Sequence, residues 1–155
     1  MDIFKVICLS FLIISCSSKS VLLDANDFRS EEINEPAVNC AKFVYENKLI
    51  PLFYKNTKKE TPKFLFNPSK AYEKLYPYEC KGFNKEKVVI IKSEWRTFPG
   101  GGGDQKEVVY MEVLIGKNKH KLQAESNIYC FIFGSREEAI RQAITRVFKG
   151  LQKIK

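Results

Sequence analysis

His120 is the chain's only histidine, so it is the only imidazole available for acid–base work. It stands among Lys117, Lys119 and Lys121. No nucleophile or orienting carboxylate lies beside it, so it reads as a solvated strand-end residue and not as a base. The run Pro99-Gly100-Gly101-Gly102-Gly103-Asp104 would let a ligand approach backbone amides closely. Phosphate-cradling loops, however, lead from a strand into a helix N-terminus. This run joins two alternating segments, with no Lys-Ser or Lys-Thr pair after it, and reads as a hairpin tip. Carboxylate chemistry remains: Glu94, Glu107, Glu112 and Glu125 lie on or beside expected strands and could meet across them. Two of them buried in one cleft would form an acid–base pair, whereas outward glutamates facing lysines would form a solvated surface. No Cys/His spacing suggests a metal. The sequence therefore assigns no catalytic residue, metal or cofactor.

Basic residues are more abundant than acidic ones, and the formal net charge is +8. Most of the excess is lysine, a hydrated point charge, and only Arg29, Arg96, Arg136, Arg141 and Arg146 offer the planar fork that grips phosphate or carboxylate. Lys55, Lys58, Lys59 and Lys63 form one cluster, and Lys81, Lys85 and Lys87 another. Arg141, Arg146, Lys149 and Lys153 fall on the polar face of an expected C-terminal helix and form a candidate patch for an anionic partner. Trp95, Tyr110, Tyr129, Phe131 and Phe133 sit at alternating strand positions and read as core more readily than as a ligand groove.

The N-terminus carries a separate signal. Val6 to Ile14 is a nine-residue apolar run broken only by Ser10. A membrane-spanning helix needs about 20 apolar residues, so this length fits the apolar core of a secretory signal. The run closes on Ile13-Ile14-Ser15-Cys16, which resembles the lipobox of bacterial lipoproteins. That resemblance covers residues 1–17. It implies cleavage before Cys16 and attachment of acyl chains to it, with residues 1–15 a signal peptide. Ser17 stands where an aspartate often marks inner-membrane retention, so the resemblance implies a place at the outer membrane. A single acyl chain anchors weakly, at about 0.8 kcal/mol per buried methylene, and several anchor permanently. The alternative is an ordinary signal cut near Ser18 or Ser20. An exported chain is not expected to meet nucleic acid.

With Cys8 in the signal and Cys16 lipidated, Cys40, Cys80 and Cys130 remain in an oxidising compartment. One disulfide and one buried thiol account for them. Cys40–Cys80 is the expected pair, since Cys130 falls on the apolar face of a strand. Loss of residues 1–15 removes Asp2 and Lys5 together and leaves the net charge at +8. Aromatic residues make up 13% of the chain, which argues for a packed core.

The elements that must position these groups follow from periodicity. Residues 16–34 read as a lipidated tether and 35–155 as a single α+β domain. Asn34-Glu35-Pro36 predicts a helix start, with Ala37, Cys40, Ala41, Val44 and Tyr45 at helical spacing to about Asn47. Leu49 to Tyr54, broken by Pro51, suits an edge strand. Asn67-Pro68 opens a short helix to Leu75. Period-two alternation predicts three strands at about 87–98, 107–115 and 120–133. Ser135 and Glu138 predict a capping box for a helix at 136–151, with the apolar stripe Ile140, Ala143, Ile144, Val147, Phe148 and Leu151. The expected fold is a three-stranded antiparallel meander packed by this C-terminal helix, with an N-terminal helix and short irregular elements. The expected function is non-enzymatic: a binding or structural module for an envelope component or protein partner, held to the membrane by its lipid. The alternative is a small envelope hydrolase using carboxylate chemistry.

Overall fold

Segments rich in alternating β-branched and aromatic residues form the framework, and the three longest become the three longest strands. The computed structural model describes residues 20–33, 40–55, 63–77, 86–100, 104–128 and 135–154. Among them are strands β1 (Val21–Leu22), β2 (Ala41–Phe43), β3 (Ile50–Tyr54), β4 (Phe64–Phe66), β5 (Glu86–Pro99), β6 (Gln105–Ile115) and β7 (Asn118–Ile128). Two helices accompany them, α1 (Pro68–Leu75) and α2 (Arg136–Leu151), with single 3-10 turns at Ala25–Asp27 and Ser30–Glu32. The strands form one mixed sheet in the order β1-β4-β3-β5-β6-β7, and β2 joins β5 separately.

This architecture corrects the expected fold. β5, β6 and β7 do pair antiparallel in sequence, but they are less than half of a seven-stranded sheet. β5 carries β6 along one edge and both β2 and β3, in parallel, on the other. The helix expected over 36–47 is also corrected: residues 34–39 lie outside the described residues, and Ala41–Phe43 is β2. Cys, Val, Phe and Tyr are weak helix formers, and the start of β5 offers an unpaired edge that a strand satisfies. Phe43 then enters the core, its ring centroid 5.5 Å from Tyr72 and 5.3 Å from Phe148, while Val44 of the supposed helical stripe stays 46% exposed.

β5 departs from simple alternation. Its register against β6 shifts between Ile90 and Lys92. Val88 and Ile90 are buried before the shift, Ile91 and Lys92 are both exposed, and Ser93 and Trp95 are buried after it. A bulge of this kind inserts one residue and reverses the parity of the inward face. Pro51 lies inside the sheet, not on its edge. Backbone pairing of β3 with β5 is registered at Phe53–Glu94, beyond the proline, and the Ser93 hydroxyl donates to the Pro51 carbonyl at 2.6 Å.

Both helices lie over the inner face. Asn67 caps α1 by accepting from the Lys70 amide at 3.0 Å, and Pro68 follows in the first turn. Ser135 caps α2 by accepting from the Glu138 amide at 3.1 Å. The Glu138 carboxylate itself is engaged by Arg141 and Gln142. The stripe of α2 is buried throughout, and it packs into one core with Leu52, Phe66, Val109 and Met111. Gln152 Nε2 donates to the Tyr72 hydroxyl at 2.7 Å, joining the end of α2 to α1.

Residues 21–33, assigned above to a tether, are part of this domain. β1 pairs β4 in parallel, Leu23 and Phe28 are in the core, and Glu32 reaches Arg141 at 2.7 Å. Truncating the ring where sheet and helices converge tests this packing. Phe148→Ala is expected to lower the free energy of urea unfolding by about 3–5 kcal/mol, the cost of a buried aromatic cavity.

Candidate functional site

A sheet with helices on one side presents its other side to solvent, and register decides what stands there. On this outer face a cross-strand row runs Phe53–Glu94–Tyr110–Gln123. Lys55, two residues beyond Phe53, holds its Nζ 3.9 Å from the Tyr110 ring centroid, a cation–π contact. Lys92 pairs with Glu94 at 2.8 Å, and Glu112 receives Lys119 at 2.6 Å with Lys121 at 4.0 Å. The hydrogen bond to Glu94 raises the Lys92 ammonium above its ordinary value. The bond from Lys119 holds the Glu112 carboxyl below its own. Lys55, Lys92, Glu94, Tyr110, Glu112, Lys121 and Gln123 line an open groove of about 340 Å³. By strand parity the same face carries Lys55, Lys92, Arg96, Lys106, Lys119 and Lys121 against three carboxylates, Glu94, Glu112 and Glu125. It is a cationic surface with the partly exposed Tyr110 ring under Lys55.

The inner face holds a different polar group. Glu107 is fully buried, accepts from the Thr97 hydroxyl at 3.0 and 2.9 Å, and pairs with Arg136 Nε at 3.0 Å. Burial pushes its carboxyl above the ordinary value, although Thr97 and Arg136 act against the shift. Beside it, Ser126 donates to Gln142 Oε1 at 2.7 Å, and Arg136 also donates to Gln105 at 3.2 Å. This network ties the start of α2 to β5, β6 and β7. Glu107 shares the parity of Val109, Met111 and Val113, and that is the sequence signal that marks it as inward-facing.

The four glutamates therefore do not form a buried pair. Glu94 and Glu112 share the open groove, each matched by a lysine, Glu125 is exposed against Lys106 at 3.0 Å, and Glu107 is on the opposite side of the sheet. A general acid needs a raised pKa, and Lys119 moves Glu112 the other way.

The candidate basic patch on α2 is split. Arg141 is 5% exposed, pairs with Glu32 and with Glu138, and lies over the Phe28 ring at 5.9 Å. Its charge is matched internally and cannot serve a partner. Arg146 is exposed and donates to the Glu125 backbone carbonyl, and Lys153 is exposed. Arg146 and Lys149 border a groove that also contains Glu31 and Glu32. His120 is partly buried at the start of β7, opposite Val113. Gly100 donates its amide to the Asp104 carbonyl at 2.7 Å, which closes the β5–β6 connection as a hairpin. Trp95 is core, with edge contacts to Tyr54 and Phe64, whereas Tyr110 belongs to the outer groove. Cys40 is buried and disulfide-bonded. Cys16, Cys80 and Cys130 lie outside the described residues, as do Lys58, Lys59, Lys81, Lys85, Tyr129, Phe131 and Phe133.

Comparison with protein-family models, curated proteins and solved structures gave no match.

Arg136→Ala leaves Glu107 buried with one partner fewer. It is expected to cost about 2–3 kcal/mol near neutral pH, at the lower end for a buried pair because Arg136 is half exposed. The loss drives the Glu107 pKa further up, so the penalty belongs to the ionised form. It should grow as pH rises above the ordinary glutamate value and shrink as acid protonates the group. Urea titrations of parent and variant across this range check the sign, and Glu107→Gln should flatten the dependence.

Proposed function

We propose that this chain is a lipid-anchored bacterial envelope lipoprotein whose domain binds an anionic envelope component through the outer face of its sheet. The anchor reading rests on Ile13-Ile14-Ser15-Cys16 after an apolar run. No helix among the described residues is long and apolar enough to cross a membrane. The binding reading rests on one observation: Lys55, Lys92, Lys121 and Tyr110 line an open groove with Glu94 and Glu112, on a face where register places Arg96, Lys106 and Lys119 as further cations and Glu125 as a further carboxylate. Groove residues that are ion-paired and solvated suit reversible electrostatic recognition, which depends on salt and on summed charge. The carboxylate-hydrolase alternative is less well supported, because the two glutamates that share the groove are both held by lysines. Outer-membrane placement follows from Ser17 in the same way.

Two experiments test this. Cells given an alkyne fatty acid are expected to label the parent chain and not Cys16→Ser, which should also stop sedimenting with membranes. Detergent-solubilised full-length protein is expected to bind at least one of immobilised phosphatidylglycerol, lipopolysaccharide or an anionic wall polymer. Lys55→Glu with Lys121→Glu should weaken that binding several-fold, while Arg146→Glu on α2 should not. Equal loss from both variants would move the binding surface off the sheet.

The Cys40 disulfide completes the proposal. Cys80 is the expected partner, and a proteolytic map under non-reducing conditions should recover the Cys40 and Cys80 peptides joined. A Cys40–Cys130 peptide would reverse the assignment.

A further inference from the structure

The outer face has two zones, and only one is charged. Leu22, Leu65 and Pro51 are in register across β1, β4 and β3. Phe64 and Phe66 beside Leu65, and Ile50 and Leu52 beside Pro51, are buried, so Leu65 and Pro51 point outward and Leu22 shares their face by its register with Leu65. Phe53 continues it along β3, and Pro51, bonded to Ser93, brings it up to β5 where Ile91 stands at the bulge. Leu22 is 58% and Ile91 50% exposed. The exposed large hydrophobics among the described residues are Val21, Leu22, Val44, Leu49 and Ile91, and none is on β6, β7 or α2. Lys55 and Lys92 mark the border where the apolar zone meets the cationic one.

We infer that the anionic component recognised by this face is the surface of the membrane that holds the anchor. The domain lies with its outer sheet face against the lipid, the Leu22–Leu65–Pro51 row at the headgroup–acyl boundary and the lysines of β5–β7 over anionic headgroups. The inference rests on the reading of Cys16 as the lipidated residue. Five residue steps separate Cys16 from Val21, and at about 3.6 Å each they reach at most about 18 Å. β1 is therefore held close to the bilayer, and β1 carries one end of the apolar row. An apolar patch with a basic flank is the combination that binds anionic bilayers.

The test uses the full-length lipidated protein in phosphatidylethanolamine–phosphatidylglycerol vesicles with brominated acyl chains. Trp95 is buried and provides a constant background. A tryptophan introduced by Leu65→Trp is expected to be quenched several-fold more strongly than one introduced by Lys149→Trp on α2. The excess should fall when phosphatidylglycerol is omitted or salt is raised. Phe53→Trp, a ring-for-ring exchange in the same zone, gives the same readout if Leu65→Trp does not fold. Protein that floats with vesicles but shows equal quenching at both positions, or none, overturns the orientation and leaves the anchor standing. Quenching indifferent to anionic lipid overturns the role of the lysines. Protein that does not float at all overturns the anchor, and this inference with it.

Discussion

The parity reversal in β5 is the constraint on which the arrangement depends. One extra residue between Ile90 and Lys92 lets a single strand bury Val88 and Ile90 at one end and Ser93 and Trp95 at the other. Without it, one half of the strand would face the wrong layer, since a one-residue slip exchanges the two faces of a sheet. The same irregularity falls between the part of β5 that pairs β2 and the part that pairs β3. Two short strands can thereby share one edge. It also places Lys92 and Glu94 on the outer face beside Tyr110, so the groove is a consequence of the bulge.

Charge is divided between two tasks. Glu107–Arg136 and Glu32–Arg141–Glu138 are partly or wholly buried and join the helical layer to the sheet or to the N-terminal turns. Such pairs contribute little net stability, but they are costly to break, because removing one partner strands the other. The lysines of β5–β7 instead stay in water, paired loosely with fewer carboxylates. Net charge alone does not distinguish these populations. Arg141 and Arg146, one and a half turns apart on one helix, belong to different ones.

Much of the second half of the chain was legible. The apolar stripe of α2, the Ser135 cap and the alternating runs of β6 and β7 are local patterns, and local geometry makes them. The first half was less so. Short segments rich in aromatics and proline, such as Ala41–Phe43 and Ile50–Tyr54, carry no period long enough to separate helix from strand. Their state is set by the edge of β5 that needs pairing. Residues 21–33 look like a polar tether, yet Leu23 and Phe28 find places in the core that only the folded sheet provides. The candidate site was misplaced for a similar reason: a helical wheel shows that Arg141 is near the polar face, but not that Glu32 and Phe28 will cover it.

The sequence by itself determined the apolar run that ends on Cys16, the basic excess, the final helix and the strand-forming character of residues 87–128, since each is written in neighbouring residues. Only the tertiary structure decided that seven strands share one sheet, which glutamate is buried, and that an apolar row and a lysine field occupy the same open face. Those outcomes depend on pairings between residues tens of positions apart, where backbone hydrogen bonding and burial choose among local preferences that are nearly equal.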